Sequence, residues 1–141
     1  MTIKIAELMA KRVVTATPHQ SVSHVRELMA RRHIHAIPVV GPEQELLGIV
    51  STADLARRLK DETPISKIMQ KQVKTIPAYN PVSAAARAMR KGKIHHLVVT
   101  HEKRVVGMLS SFDLLKLVEE HQFTAKNAPK RRSKKPRKTA K

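Results

Sequence analysis

Apolar residues recur every three or four positions early in the chain, at Val22, Val25, Leu28 and Met29. This spacing places them on one face of an amphipathic helix. Two short apolar runs follow, Ala36–Val40 and Leu46–Val50, separated by a turn that contains Gly41 and Pro42. Short apolar runs joined by such a turn predict an antiparallel hairpin.

The same order of elements recurs about 60 residues further along the chain. A second helix is predicted over Pro81–Arg90, with strands over His96–Thr100 and Val105–Leu109. Each unit also has a predicted lead-in helix, a brief first strand and a closing helix. These are Ile5–Met9, Val13–Ala16 and Thr52–Lys60 in the first unit, and Ile65–Met69, Val73–Ile76 and Ser111–Glu120 in the second.

The repeat predicts an α+β fold made of two β-α-β-β-α units, over residues 1–60 and 61–121. A single unit of this size buries too little apolar surface to be stable alone. We therefore expect the units to pack through their sheets about a pseudo-two-fold axis. Ligand clefts should then lie between the halves and come as a pair.

Each unit contains one glycine, serine and aspartate at the same spacing. Gly48, Ser51 and Asp54 form the first set, and Gly107, Ser110 and Asp113 form the second. A serine followed three residues later by an acid has the spacing of a helix capping box, although Glu or Gln is the usual partner. A structural cap is therefore one interpretation, and a binding site that occurs twice is the other.

Composition and charge set limits on the remaining part of the chain. Of its 141 residues none is cysteine, which excludes disulfides and thiolate chemistry, and no apolar run is long enough to span a membrane. A cytoplasmic location is the default expectation. The net charge is +17, yet residues 122–141 contain no acid and little to bury, so we expect a disordered basic tail.

The ordered set of motifs resembles a tandem pair of CBS domains, the Bateman module. The matching elements are Thr15–Pro18, Ile34–Val40 and the two Gly-x-x-Ser-x-x-Asp stretches, and the resemblance covers roughly residues 3–121. Val98 departs from the family where Pro38 stands in the first repeat, and we expect little effect. The family binds adenine nucleotides or related adenosyl ligands as regulatory signals. The candidate ligands are AMP, ADP, ATP and S-adenosylmethionine, and no cofactor is required.

The resemblance implies which residues contact a ligand. Asp54 and Asp113 would accept both ribose hydroxyls, and Ser51 and Ser110 would hydrogen-bond ribose or phosphate. Further candidates lie near the phosphates or the base: His35, His95, His96, Thr15 and Thr75. A nucleotide on Asp54 should face His96, whereas one on Asp113 should face Ala36. The Asp54 site is therefore expected to bind more tightly.

The sequence gives weaker signals for metal binding, catalysis and polyanion binding. The histidines supply no fixed ligand set, so no metal site is predicted, and no catalytic constellation indicates an enzyme. The basic tail could aid solubility, contact anionic lipid or bind nucleic acid without reading sequence. Its candidate polyanion contacts are Lys130, Arg131, Arg132, Lys134, Lys135, Arg137 and Lys138.

Two functions of different classes remain open. The first is a stand-alone regulatory module that binds an adenosyl ligand between its repeats, signals to a partner and forms a homodimer through its helical faces. The alternative is a nucleic-acid-associated basic protein that uses the CBS pair as a dimerising scaffold.

Overall fold

A computed structural model describes residues 2–120, and it confirms the predicted α+β fold of two related units. The first unit contains a short lead-in helix, a long helix, a hairpin and a short closing helix. Their bounds are α1 Ile5–Leu8, α2 Val22–Arg32, β1 Ala36–Val40, β2 Leu46–Ser51 and α3 Thr52–Leu55.

The second unit follows the same order with one additional strand. A 3₁₀ turn over Ile65–Lys67 takes the place of the lead-in helix. The remaining elements are β3 Thr75–Pro77, α4 Val82–Gly92, β4 His96–His101, β5 Arg104–Ser110 and α5 Ser111–Glu120. β3 runs parallel to β4, and β4 pairs antiparallel with β5, whereas β1 and β2 form a two-stranded sheet.

The predicted first strand Val13–Ala16 is wrong, because only Ala16 makes a sheet-like bridge, to Val39. Proline at position 38 explains the difference from the second unit. There, the N–H of Val98 donates to the carbonyl of Lys74 at 3.2 Å. Pro38 occupies the equivalent position and has no N–H to donate. We expected little effect from the difference between Pro38 and Val98. Instead, it accounts for the additional strand in the sheet of the second unit.

The predicted closing helix Thr52–Lys60 is too long, since α3 ends at Leu55. Nη2 of Arg26 donates to the carbonyl oxygens of Leu55 at 2.7 Å and Arg57 at 3.1 Å. Helix ends leave such carbonyls without an intrahelical partner, and here a guanidinium from α2 satisfies them. The equivalent of Arg26 in the second unit is Ala86, and α5 continues to Glu120.

The two long helices begin differently: Pro81 stands at the N-cap of α4 and makes no side-chain hydrogen bond there. In the first unit Ser21 caps α2, and its Oγ accepts from the N–H of His24 at 3.1 Å. The two helices nevertheless end alike, because their C-cap residues, His33 and Lys93, both adopt the left-handed conformation.

The two units are joined through a third apolar cluster between their own cores. Its buried members are Val40, Val98 and Val105, so both hairpins contribute. The N–H of Val105 also donates to the carbonyl of Gln44 at 2.9 Å. Burial of branched side chains from both sheets explains why the units form one structure.

Each lead-in segment packs on the opposite unit. Ile5 is fully buried in the core of the second unit, and Ile65 is fully buried in the core of the first. Ala10 pairs with Met108 through two backbone hydrogen bonds, and Gln70 pairs with Ile49 in the same way. This reciprocal exchange agrees with the predicted pseudo-two-fold arrangement.

The crossing segments explain the glycine that precedes each serine and aspartate. A Cβ on Gly48 would lie 2.7 Å from Sδ of Met69 and 2.9 Å from the carbonyl oxygen of Gln70. A Cβ on Gly107 would collide with Met9 and lie 3.0 Å from the carbonyl oxygen of Ala10. Neither glycine has a positive φ, so the requirement is space rather than backbone freedom.

We predict that Gly48→Ala and Gly107→Ala each lower the free energy of unfolding by about 1–3 kcal/mol, because the lead-in backbone must move away. Chemical denaturation followed by circular dichroism measures the change. Gly92→Ala is the matched control, since its Cβ would lie 3.5 Å from the nearest atom. This variant should be neutral or stabilising by up to about 1 kcal/mol. Wild-type stability of Gly48→Ala would contradict the close approach.

Candidate functional site

Two clefts open between the units, one at the start of each closing helix. The Asp54 cleft encloses about 370 Å³, and Ser51, Asp54, Gln70, Lys74 and His95 are among the residues that line it. The Asp113 cleft encloses about 310 Å³, and Ser110, Asp113, Arg12, His33 and Phe112 are among the residues that line it. The predicted pair of clefts is therefore present at the predicted aspartates.

In both clefts one carboxylate oxygen closes the helix cap. Oδ2 of Asp54 accepts from the N–H of Ser51 at 2.8 Å and from its Oγ at 3.0 Å. Ser51 Oγ in turn accepts from the N–H of Asp54 at 3.2 Å. Ser110 and Asp113 repeat this arrangement at 2.8, 3.1 and 3.2 Å. Oδ2 of each aspartate therefore makes all the hydrogen bonds by which the carboxylate completes the helix cap.

The other carboxylate oxygen, Oδ1, differs between the clefts. In Asp54 it accepts from Nε2 of Gln70 at 2.9 Å. In Asp113 it lies 3.7 Å from Nζ of Lys116, an exposed pair that contributes little stability. Because each carboxylate oxygen can accept two hydrogen bonds, both aspartates keep acceptor capacity, and Asp113 keeps more of it.

The serine hydroxyls are less available than the sequence suggested. The Oγ proton of Ser51 is donated to Asp54, and that of Ser110 is donated to Asp113. Each hydroxyl oxygen also accepts one backbone N–H. Their observed action is to orient the carboxylates, which leaves them at most one acceptor position for a ligand.

Sequence reasoning missed the residues that the crossing segments bring to the clefts. Gln70, Gln72 and Lys74 face Asp54 across its cleft, whereas Ala10, Arg12 and Val14 line the Asp113 cleft. The 60-residue offset relates these two sets to each other, but the sequence gives no sign that each crosses to the other unit. Among the residues that the structure describes, each cleft is therefore lined by one permanent cation, Lys74 or Arg12.

His96 lines both clefts, together with His35 and Ala36. The expected ranking of the Asp54 site above the Asp113 site assumed that His96 faces only one of them, so the structure removes the basis of that ranking. Burial lowers the pKa of His96 below 6.5, and the neighbouring His95 and His35 lower it further, although Asp113 opposes them. His96 is consequently a neutral imidazole at neutral pH.

Of the remaining candidates, one lines a cleft and two do not. His95 lines the Asp54 cleft, and its Nδ1 is 3.4 Å from Oγ of Ser111. Thr15 and Thr75 are not among the residues that line either cleft; Thr15 is half-buried, and Thr75 is exposed at the start of β3. A ligand contact at either threonine stays a prediction. The seven tail residues, Lys130 to Lys138, lie outside the described part of the chain.

Neither a metal site nor a membrane-spanning helix is found within residues 2–120. No three His, Asp or Glu side chains of this part of the chain lie together as a metal site. In the same range, no helix has the length and apolar character needed to cross a membrane.

Several known proteins are similar to this chain in sequence or in fold. A homoserine O-acetyltransferase of Methanohalobium evestigatum is 29% identical over 119 residues, which are 82% of this chain but 24% of that enzyme. An acetoin utilization protein (AcuB) of Vibrio cholerae superposes with a TM-score of 0.77 at 28% identity, over 86% of this chain and 99% of the other.

A further solved structure is the CBS domain pair of protein MJ0100 in complex with 5′-methylthioadenosine and S-adenosyl-L-methionine. It has a TM-score of 0.76 and 26% identity, over 84% of this chain and 98% of the other. The CBS domain family matches residues 5–61 and 65–120, which together are most of the chain. With its two tandem matches, its two clefts and its paired helix caps, this chain belongs to the CBS domain family.

Proposed function

We propose that this CBS pair is a regulatory module that binds an adenosyl ligand in the clefts between its repeats and signals to a partner. The candidate ligands are AMP, ADP, ATP and S-adenosylmethionine. The observation that carries the proposal is that the two carboxylate oxygens of each aspartate have different contacts. Oδ2 caps a helix, and Oδ1 can still accept hydrogen bonds at a cleft.

A ribose suits this carboxylate chemically. Its two adjacent hydroxyls are donors, and an ionised carboxylate accepts without donating. Hydrogen bonds to a charged acceptor are stronger than those to a neutral one, so an aspartate should bind the ribose more tightly than an asparagine would. The structure of MJ0100 with two adenosyl compounds supports this ligand class for the family.

A ligand in either cleft would contact both repeats. In the Asp113 cleft the carboxylate belongs to the second repeat, whereas Arg12 and His33 come from the first. In the Asp54 cleft the carboxylate belongs to the first repeat, and Lys74 and His95 come from the second. Binding would therefore stabilise one relative position of the repeats, which a partner protein could recognise. Binding rather than catalysis is the proposed activity.

We predict that Asp54→Asn and Asp113→Asn each weaken adenosyl-ligand binding in their own cleft by on the order of 30-fold, the equivalent of losing about 2 kcal/mol. The amide oxygen of asparagine can still accept the Ser N–H, so the helix cap should largely survive. Isothermal titration calorimetry with AMP, ADP, ATP and S-adenosylmethionine measures the affinities, and thermal unfolding monitors the fold.

The matched control is Glu62→Gln, which neutralises an exposed acid between the repeats. It should bind as the wild type does. Full affinity and stoichiometry in the folded double variant Asp54→Asn with Asp113→Asn would contradict the proposed seat of the ribose.

We also propose a homodimer, with its contact on the closing helix of the second repeat. Phe112, Leu115 and Val118 are 76%, 55% and 53% exposed, and their spacing places them along one side of α5. In the short lead-in helix the side chain of Ile5 is fully buried and is not available for such a contact.

Sedimentation velocity at tens of micromolar should show a species of twice 15.9 kDa for the wild type. Leu115→Glu should shift it to monomer, because a buried unpaired charge opposes association. Tyr79→Glu is the control, since Tyr79 is 64% exposed and is not part of α5. A wild-type monomer at these concentrations, or a dimer that Leu115→Glu leaves intact, would rule out this interface.

The basic tail supports a second candidate function, polyanion binding. Lys126 to Lys141 contains nine Lys and Arg and no acid, and it has no aromatic residue to stack on a base. Such a segment neutralises phosphates without reading sequence. Nucleic acid is the expected polyanion, and the folded pair would then act as a dimerising scaffold.

If about six of these charges engage duplex phosphates, log affinity against log salt should have a slope near −5. Fluorescence anisotropy with DNA and RNA of unrelated sequences, over a salt series, measures the slope for the full chain and for residues 1–121. We expect the shorter chain to lose this binding and to keep adenosyl-ligand binding. Equal polyanion affinity of the two chains would assign the activity to the folded module instead.

A further inference from the structure

A third concave surface, the α2–α3 groove, lies in the first repeat and is lined by neither aspartate. It encloses about 380 Å³. From α2 it is lined by Arg26, Met29, Ala30 and His33, whose spacing places them on one face of that helix. Leu55 lines it from α3. The groove is therefore a largely apolar recess between two helices, with a guanidinium and an imidazole among its lining groups.

The groove belongs to the first repeat because its closing helix is short. α3 ends at Leu55 after four residues, where Arg26 takes its carbonyls, whereas α5 has ten residues and contacts α4. The side chains along the long helices differ as well, since Ala30 is replaced by Arg90 at the equivalent position of the second repeat. The first repeat thus lacks helical turns that the second repeat has.

The second repeat has the complementary feature, a helix whose apolar side chains are not covered. No residue of α5 is buried, and Leu115 and Val118 are 55% and 53% exposed. Phe112 is also exposed but lines the Asp113 cleft. Leu115 and Val118 are therefore the apolar side chains of α5 that face away from the cleft and are available to a second copy.

The charges of the two surfaces are also complementary. α5 ends with Glu119 and Glu120, both exposed, and its last turn contains no basic residue. Acidic side chains at this end of a helix are disfavoured by the helix dipole and gain from a nearby cation. Arg57 and Arg58 follow α3 directly and are exposed, and the carbonyl of Arg57 is bound by a guanidinium that lines the groove.

The size of a stable interface favours a contact that engages both repeats. A specific interface usually needs about 800 Å² of surface from each partner. α5 is only about 15 Å long at the ordinary rise of an α-helix, so two copies of α5 alone would cover a small part of that area. If each copy places α5 in the groove of the other, two-fold symmetry makes the contact twice.

We infer that α5 of one copy occupies the α2–α3 groove of a second copy, with Leu115 and Val118 facing Ala30. The inference rests on the proposed homodimer and names the surface that α5 meets. The two copies then lie head to tail, with the second repeat of each against the first repeat of the other. The partner's helix takes the space that the short α3 leaves open.

Single cysteines test this contact on the full chain, which has no cysteine of its own. Chains with Ala30→Cys are mixed with chains of different mass label that have Leu115→Cys or Val118→Cys, and the mixture is oxidised. A disulfide requires Cα atoms within about 7 Å of each other. We expect at least one of the two mixtures to give the mixed disulfide in several-fold excess over either homodisulfide.

His24→Cys is the matched control, because His24 is exposed on another side of α2 and does not line the groove. Mixed with either α5 variant, it should give only the background of random collisions.

An acidic side chain in the groove should weaken the dimer without unfolding the chain. Ala30 is exposed, so Ala30→Glu should fold, but its charge would oppose the apolar side of α5 and the acidic end of that helix. Sedimentation equilibrium should show a dimer dissociation constant raised at least about tenfold. His24→Glu, the same change elsewhere on α2, should leave the dissociation constant as in the wild type.

The outcomes separate this contact from the homodimer itself. Disulfides of Leu115→Cys chains with each other, without the mixed product, would show that α5 packs on α5; the dimer would stand and the inference would be overturned. A dimer that Ala30→Glu leaves intact would overturn it as well. A wild-type monomer at tens of micromolar would remove the homodimer and the groove contact together, while adenosyl-ligand binding is decided separately by the aspartate variants.

Discussion

Each lead-in segment crosses to the hairpin of the other repeat, and the rest of the structure depends on this contact. Backbone pairing of Ala10 with Met108 and of Gln70 with Ile49 brings the crossing chains against Gly107 and Gly48. Neither glycine position has room for a Cβ, so the glycine of each motif serves the packing of a distant segment. The same contact builds the opposite wall of each cleft and supplies Arg12 and Lys74 to it.

The aspartate of each motif caps a helix with one oxygen and presents the other to a cleft. One oxygen completes a capping box, which holds the start of the closing helix and the carboxylate in a fixed orientation. The other oxygen is directed by that cap and differs between the clefts through Gln70 and Lys116. Two clefts built from equivalent elements therefore offer different acceptors, and His35 and His96 line both of them.

Local patterns predicted much of the fold, because the elements they describe depend on nearby residues. Apolar spacing predicted α2 and α4, and short apolar runs predicted both hairpins to within two residues. The elements that differed depend on distant contacts. α3 ends where Arg26, 29 residues earlier, takes its carbonyls, and the first strand is lost because Pro38 has no N–H.

The candidate site was predictable to the same extent. The Ser–Asp pairs recur in the sequence and were predicted from it. The places of Arg12 and Lys74 in the clefts, and of His96 in the lining of both, depend on how the two repeats pack. A pattern along one repeat cannot show which residues of the other repeat it will face.

The central claim is that an adenosyl ligand lies between the repeats with its ribose on an aspartate. Backbone amide chemical shifts of the isotope-labelled protein during titration with adenosine test it most directly. The account predicts that the largest changes occur together at Ser110, Asp113 and Arg12, or at Ser51, Asp54 and Lys74, so that both repeats respond at one cleft. Changes confined to one repeat, or to the exposed side of α5, would contradict it.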